Sequence, residues 1–202
     1  MHPEASIAPP VVGVVIAGGR STRFGGEKAV AILSGVPLLL WAVRRLQRAC
    51  GAVAVNARPG TEAEALARAE GLQVLHDEEG DPLGPLAGVK VGLKWAHKVN
   101  ARALAVSPCD VPMLPDDLYP RLLEAAGDGA AMAETADGHQ PLCAVWPVSA
   151  LTSVTEALAG GQHPATWRLL TSLGAQPVLF SSPQAFANIN TPAELAALQR
   201  AR

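Results

Sequence analysis

The chain has 202 residues, 49% of them hydrophobic and 17% charged, enough apolar material to fill the core of one domain. A formal net charge of −2 argues against a general nucleic-acid binder, which needs an excess of lysine and arginine to displace counterions from phosphates. Cys50, Cys109 and Cys143 are odd in number and lack C-x-x-C spacing. They argue against a disulfide framework and a cysteine-based zinc site, and for a reducing, cytoplasmic compartment.

Residues 1–10 hold no basic stretch followed by a long apolar run and are read as a flexible tail without an address signal. Residues 11–16 are continuously apolar and mostly β-branched, the pattern of a central strand covered on both faces. That run stops at Gly18-Gly19, too short to cross a bilayer. After the glycine-rich stretch 18–26, Pro37 is placed like a first helical residue, and residues 38–49 carry apolar side chains at helical spacing with Arg44, Arg45 and Arg48 toward water. Residues 52–55 read as a second strand, and Thr61 with Glu64 has capping-box spacing for a helix reaching Glu70. Residues 72–75 read as a third strand, 80–84 as a loop, 85–98 as a helix and 103–106 as a fourth strand. Four strand–helix units in series predict a mainly parallel sheet with right-handed crossovers. Beyond Leu114 the spacing predicts a helix over 116–126, strands near 130–133 and 142–146, helices from Ser149 and Ala165, and a strand over 177–180. A second capping box, Thr191-Pro192-Ala193-Glu194, opens the last helix. Trp41, Trp95, Trp146 and Trp167 fall within these patterns and read as core.

Open α/β sheets bind ligands beyond the carboxyl ends of their strands, here just after Ile16, Val55, Leu75 and Val106. After Ile16 stands Ala17-Gly18-Gly19-Arg20-Ser21-Thr22-Arg23-Phe24-Gly25-Gly26-Glu27-Lys28. Glycines let the backbone approach a polyphosphate and let successive N–H groups converge on it, while Arg23 and Lys28 supply the compensating charge. There is no G-K-[ST] for a Walker A loop and no G-x-G-x-x-G for a dinucleotide fold. The string resembles the G-G-x-S-x-R-M-G-x-D-K signature of the molybdenum cofactor guanylyltransferases, relatives of the sugar-phosphate nucleotidylyltransferases. Gly18, Gly19, Ser21, Arg23, Gly25 and Lys28 match it, whereas Phe24 stands for the usual Met and Glu27 for the usual Asp, which leaves the role of Glu27 open.

The resemblance extends over nearly the whole chain. Asn56 looks like the family's V-N-A segment, His76-Asp77 with Gly84-Pro85-Leu86-Ala87-Gly88 its D…G-P-L-A-G, and Cys109-Asp110-Val111-Pro112 its C-D-x-P. Asn188-Ile189-Asn190-Thr191-Pro192-Ala193-Glu194-Leu195 is similar to N-x-N-T-P-E-x-L. It implies a single-domain, three-layer, Rossmann-like α/β nucleotidylyltransferase fold with a mainly parallel, mixed central sheet. Residues 11–115 would form its nucleotide-binding half and residues 116–202 its acceptor-binding half.

The implied reaction is magnesium-dependent: GMP passes from GTP to molybdopterin or Mo-molybdopterin by in-line attack of the acceptor phosphate. Lys28, Arg23 and Asp110 are the implied catalytic residues, Asp110 also holding Mg²⁺ as a single carboxylate. Ala17, Gly18, Gly19, Lys28, Asn56, Asp77 and Asp110 would bind the nucleotide. Gly84, Pro85, Asn188 and Asn190 would bind the acceptor, away from the glycine-rich loop. Backbone groups around residues 17–19, with Asn56, would read the donor edge of guanine. Asp77 also reads as part of a solvated acidic loop with Glu78, Glu79 and Asp81, and Asn188 and Asn190 as turn residues before a capped helix. His139 reads as a surface histidine or as part of the family's His-Pro-like element, Cys109 as a spectator thiol, and His163 has no assigned role. No membrane and no nucleic acid are expected as partners; transient contact with cofactor-biosynthesis proteins or molybdoenzyme chaperones is. Molybdopterin cytidylyltransferase, a sugar-phosphate nucleotidylyltransferase, and a non-catalytic carrier of the same fold are the competing readings.

Overall fold

The computed structural model describes residues 10–19, 24–161 and 163–200. Chain order begins with β1 (Val11–Ile16), a short hairpin of β2 (Ile32–Leu33) and β3 (Val36–Pro37), α1 (Leu38–Gln47), β4 (Ala52–Asn56) and α2 (Glu62–Ala69). It continues through β5 (Gln73–Leu75), α3 (Pro85–Lys98), β6 (Ala103–Pro108), α4 (Leu118–Ala126), β7 (Ala131–Thr135) and β8 (Gly138–Pro147). Then follow α5 (Leu151–Ala159), α6 (Thr166–Ser172), β9 (Gln176–Leu179) and α7 (Pro192–Arg200).

The main sheet has the order β5-β4-β1-β6-β8-β7-β9. Every neighbouring pair is parallel except those made by β8, which runs against β6 and β7, so the sheet is mainly parallel and mixed, as the alternation of elements implies. Successive side chains of β1 point to opposite faces: Val15 joins α1, α2 and α4 in one core, and Val12 and Val14 join α3, α5 and α6 in the other. Both faces being covered explains why the strand reads as an unbroken apolar run. Helix α3 lies close to the sheet because Gly88 and Gly92 carry no Cβ: a methyl on Gly92 would sit 2.9 Å from Leu104.

A third, smaller core gathers Leu33, Leu38 and Ile189 with Phe24, Trp41 and Leu195. It joins the hairpin and α1 to the C-terminal helix, and Gln199 Nε2 donates to Ile32 O at 2.8 Å. Both caps form: Thr61 Oγ1 accepts from Glu64 N and Thr191 Oγ1 from Glu194 N, and the box closes at Thr191, whose N–H donates to Glu194 Oε2, while Glu64 Oε2 accepts from Gly60 N.

The structure corrects three local expectations. Pro37 ends β3 and caps α1 instead of opening the helix, because the hairpin, too short for a periodicity signal, occupies residues 32–37. Arg45 is not turned to water but pairs with Asp116, which also binds Arg48 at 2.6 Å. Trp146 is fully buried, whereas Trp167 is 39% exposed on α6. Among the described residues no helix is long and apolar enough to cross a membrane.

Candidate active site

Strand β1 is the switch point of the sheet, with β4 on one side and β6 on the other, and the chain leaves both β1 and β6 at the same carboxyl edge. A cavity of about 520 Å³ opens there. Its wall contains Ala17, Gly18, Gly19, Lys28, Asn56, Asp77, Gly84, Pro85 and Asp110, nine of the residues singled out from sequence. Arg23 lies outside the described residues, and Asn188 and Asn190 are exposed and absent from the cavity wall.

Lys28 starts a one-turn 3₁₀ segment, Lys28–Val30, anchored by buried Ala29. Its Nζ donates to Asp110 Oδ2 at 2.8 Å and to Asn190 Oδ1 at 3.1 Å, partners 82 and 162 positions away in the chain. The two side chains of the ion pair are 12% and 21% exposed, which weakens solvent screening without removing it. Ile189 holds the third partner in place: its side chain is in the small core and its N–H donates to Asp110 O at 2.9 Å. Asn190 is therefore not remote from the glycine-rich loop, as its position in sequence implies. The C-terminal segment returns to the cation of that loop.

Asn56 is 2% exposed. Its Nδ2 donates to Asp77 Oδ1 at 2.8 Å and Leu75 O at 3.3 Å, and the N–H of Ala17 donates to Asn56 O at 2.8 Å. The donors of Asn56 and the N–H of Ala17 are thus spent inside the protein, and Asn56 holds the carboxylate of Asp77 at the cavity wall. The loop after Asp77 is exposed at Asp77, Glu78 and Glu79 and is tethered to α3. Lys90, on α3, donates to Asp81 at 2.6 and 2.8 Å and pairs with Glu78 at 3.0 Å, and Lys94 also binds Glu78. Burial opposes the charge on Lys90, but the bonds to Asp81 and Glu78 outweigh it and raise its pKa above the ordinary value.

Several wall residues escaped sequence reasoning. Glu27 Oε2 accepts from the N–H of Ala63 in the first turn of α2 at 2.8 Å, tying the glycine-rich segment to that helix. Arg58 adds a cation to the wall, and Leu83 and Leu142 add apolar surface. Leu142 reaches it through a bulge in β8, whose pairing with β7 jumps from Met132↔Ala144 to Ala133↔Gln140. His163 Nε2 accepts from the N–H of Leu86 at 2.9 Å and lies against Gly84. Gly84 has φ +154, and a methyl there would lie 2.2 Å from His163, so the G-P-L-A-G segment needs glycine on both counts. Cys109 also lines the cavity, but burial pushes its thiol up to about 12, which keeps it protonated and poorly nucleophilic at neutral pH. His139 is exposed and stacks on Trp167.

Paired glycines, a lysine bonded to an aspartate, and the Asp77 carboxylate on a braced loop suit a nucleotide and a second anionic substrate. The model of the MobA-like NTP transferase domain matches residues 13–178. The molybdenum cofactor guanylyltransferase of Rhodobacter capsulatus is 39% identical over 188 residues, 92% of this chain and 93% of the relative. That of Cereibacter sphaeroides is 38% identical over 185 residues, 91% and 93% of the two chains. The crystal structure of molybdopterin-guanine dinucleotide biosynthesis protein A from Archaeoglobus fulgidus shares the fold, with a TM-score of 0.73 at 22% identity over 94% of this chain and 97% of that one. On the family model and the close relatives together, the chain belongs to the MobA-like NTP transferases, a family of nucleotidyltransferases, and groups with the molybdenum cofactor guanylyltransferases.

Proposed function

We propose that the protein transfers GMP from GTP to molybdopterin or Mo-molybdopterin, releasing pyrophosphate and forming the guanine dinucleotide cofactor. The observation that carries this reading is the convergence of Asp110 and Asn190 on Lys28, which with Asp110 lines the cavity. One cation there faces the place where a triphosphate and an acceptor phosphate must meet. Backbone N–H groups of Gly18 and Gly19 hold the triphosphate, with Arg23 and Lys28 balancing its charge. Lys28 stabilises the charge that builds on the phosphoryl oxygens as the bond to pyrophosphate breaks. Asn190, held against Lys28, orients the acceptor, with Gly84, Pro85 and Asn188 extending its site. Asp77, oriented by Asn56, accepts hydrogen bonds from N1–H and the 2-amino group of guanine.

Among the described residues no group of three or more His, Cys, Asp and Glu could hold a metal. Asp110 on the cavity wall fits Mg²⁺, which is commonly held by one or two carboxylates with phosphates and water completing its shell. Bound there, Mg²⁺ would offset the repulsion between the two phosphates. The protein receives molybdopterin from, and delivers its product to, other cofactor-biosynthesis proteins or molybdoenzyme chaperones, working in the cytoplasm.

Competition of CTP against GTP in a pyrophosphate-release assay with molybdopterin tests the reading. GTP is preferred by at least about tenfold, the cost of one unpaired buried polar group. Equal use of CTP refutes guanylyl specificity, and absence of pyrophosphate with either nucleotide refutes catalysis and favours the carrier.

A further inference from the structure

We propose that His139, Trp167 and Glu134 form the subsite for the flat, heteroaromatic pterin end of the acceptor; this rests on the proposed function. Trp167 is one of the few large apolar side chains left exposed, and the only aromatic one among those described. Its ring stacks on His139 with centroids 5.7 Å apart at 27°, and the Arg168 guanidinium stands 5.3 Å from the indole centroid. Glu134 is paired across the hairpin with His139, whose Nδ1 is 4.0 Å from its carboxylate.

The place of this group in the fold connects it to the reaction cavity. Strand β8 is antiparallel to β6, so its first residues project past the carboxyl edge where the cavity opens. Leu142 lines the cavity and His139 lies three residues before it, within about 10 Å along an extended chain. From the other side, His163 touches the rim at Leu86, and Trp167 follows four residues later. In molybdopterin the pterin is separated from the terminal phosphate by a fused pyran ring and one methylene, a span of the same order. A pterin that leaves the cavity on the Leu142 side, with the phosphate held inside, reaches the His139–Trp167 pair.

The chemistry of the group matches that ring. The indole, stacked on imidazole, takes a planar heterocycle in place of the Arg168 guanidinium that stands over its ring. The 2-amino-4-oxo pyrimidine edge of a pterin presents adjacent N–H donors, which a carboxylate such as Glu134 accepts in pairs. Neither feature serves a triphosphate.

Steady-state pyrophosphate release with molybdopterin as varied substrate tests the subsite. Trp167→Ala should raise KM for molybdopterin about tenfold or more, with kcat and GTP affinity within about twofold of wild type. Trp167→Phe should restore most of the loss, and Glu134→Gln should raise the same KM. Unchanged KM in Trp167→Ala, or a fall in kcat without a change in KM, overturns the proposal. Calorimetry with pterin-6-carboxylate separates this from the function itself. Should wild type release no pyrophosphate, binding of this probe that Trp167→Ala abolishes still supports the subsite, and absence of binding to wild type overturns it.

Discussion

Replacing Gly88 by alanine should impair GTP recognition although Gly88 itself touches no nucleotide. A methyl at this position would lie 2.4 Å from Asn56 Oδ1 and 2.8 Å from Ile16 Cδ1. Asn56 cannot step aside without loss, since it is buried and its Nδ2 is bonded to both Asp77 and Leu75. Overpacking of this kind costs about 1–3 kcal/mol of stability, and releasing the Asp77 carboxylate forfeits a charge-assisted bond of about 1.5–3 kcal/mol. For a chain of this size the first term lowers Tm by roughly 2–12 °C. The second should weaken GTP binding about tenfold or more, at 1.4 kcal/mol per decade.

Gly92→Ala is the matched control. Also on α3, it crowds Leu104 of β6 and Val14 of β1, with no part of Asn56 among its nearest atoms, so it should lower Tm and leave GTP affinity intact. ITP, which lacks the 2-amino donor, sharpens the assay. Wild type should favour GTP over ITP by about 5- to 150-fold, one lost hydrogen-bonded pair at about 1–3 kcal/mol, and Gly88→Ala should bring the ratio toward parity. Wild-type GTP affinity and an undiminished GTP/ITP ratio in a folded Gly88→Ala protein would refute the chain of contact from Gly88 through Asn56 to Asp77.

Lys28→Ala should lower turnover by on the order of 10²- to 10³-fold with a cooperative melting transition retained; near wild-type turnover would remove Lys28 from the chemistry. Cys109→Ala should keep wild-type activity, and the Cys109 thiol, pushed up to about 12 by burial, should resist iodoacetamide at pH 8 in the folded protein. Rapid alkylation that abolishes turnover would contradict this. Bonds from Arg68, Gly60 and His76 hold the Glu64 carboxyl down at about 2. A depressed carboxyl contributes stability that is present above its unfolded pKa of about 4.3 and is lost as pH falls toward 2. Glu64→Gln should therefore show a smaller fall in Tm between pH 6 and pH 2.5 than wild type, and an equal fall would contradict the assignment.

Much of this protein was legible in its sequence because the signals are local. The unbroken apolar run of β1, the two threonine helix caps and the Pro85 start of α3 each arise from side chains acting on their own backbone within a few residues. Motif glycines are legible for the same reason, since Gly84 adopts a backbone angle that other residues avoid. Three-dimensional packing decided the rest. Nothing in local spacing tells that Asn190 closes on Lys28, that Asn56 spends its donors on Asp77, or that Glu27 caps α2. Those contacts join residues from separate strands and helices, brought together only when the sheet order is set. The bulge that turns Leu142 inward and the exposure of Trp167 were hidden for a related reason. Periodicity reports which residue types alternate along an element, whereas the neighbours that cover a given side chain are chosen by how the elements pack.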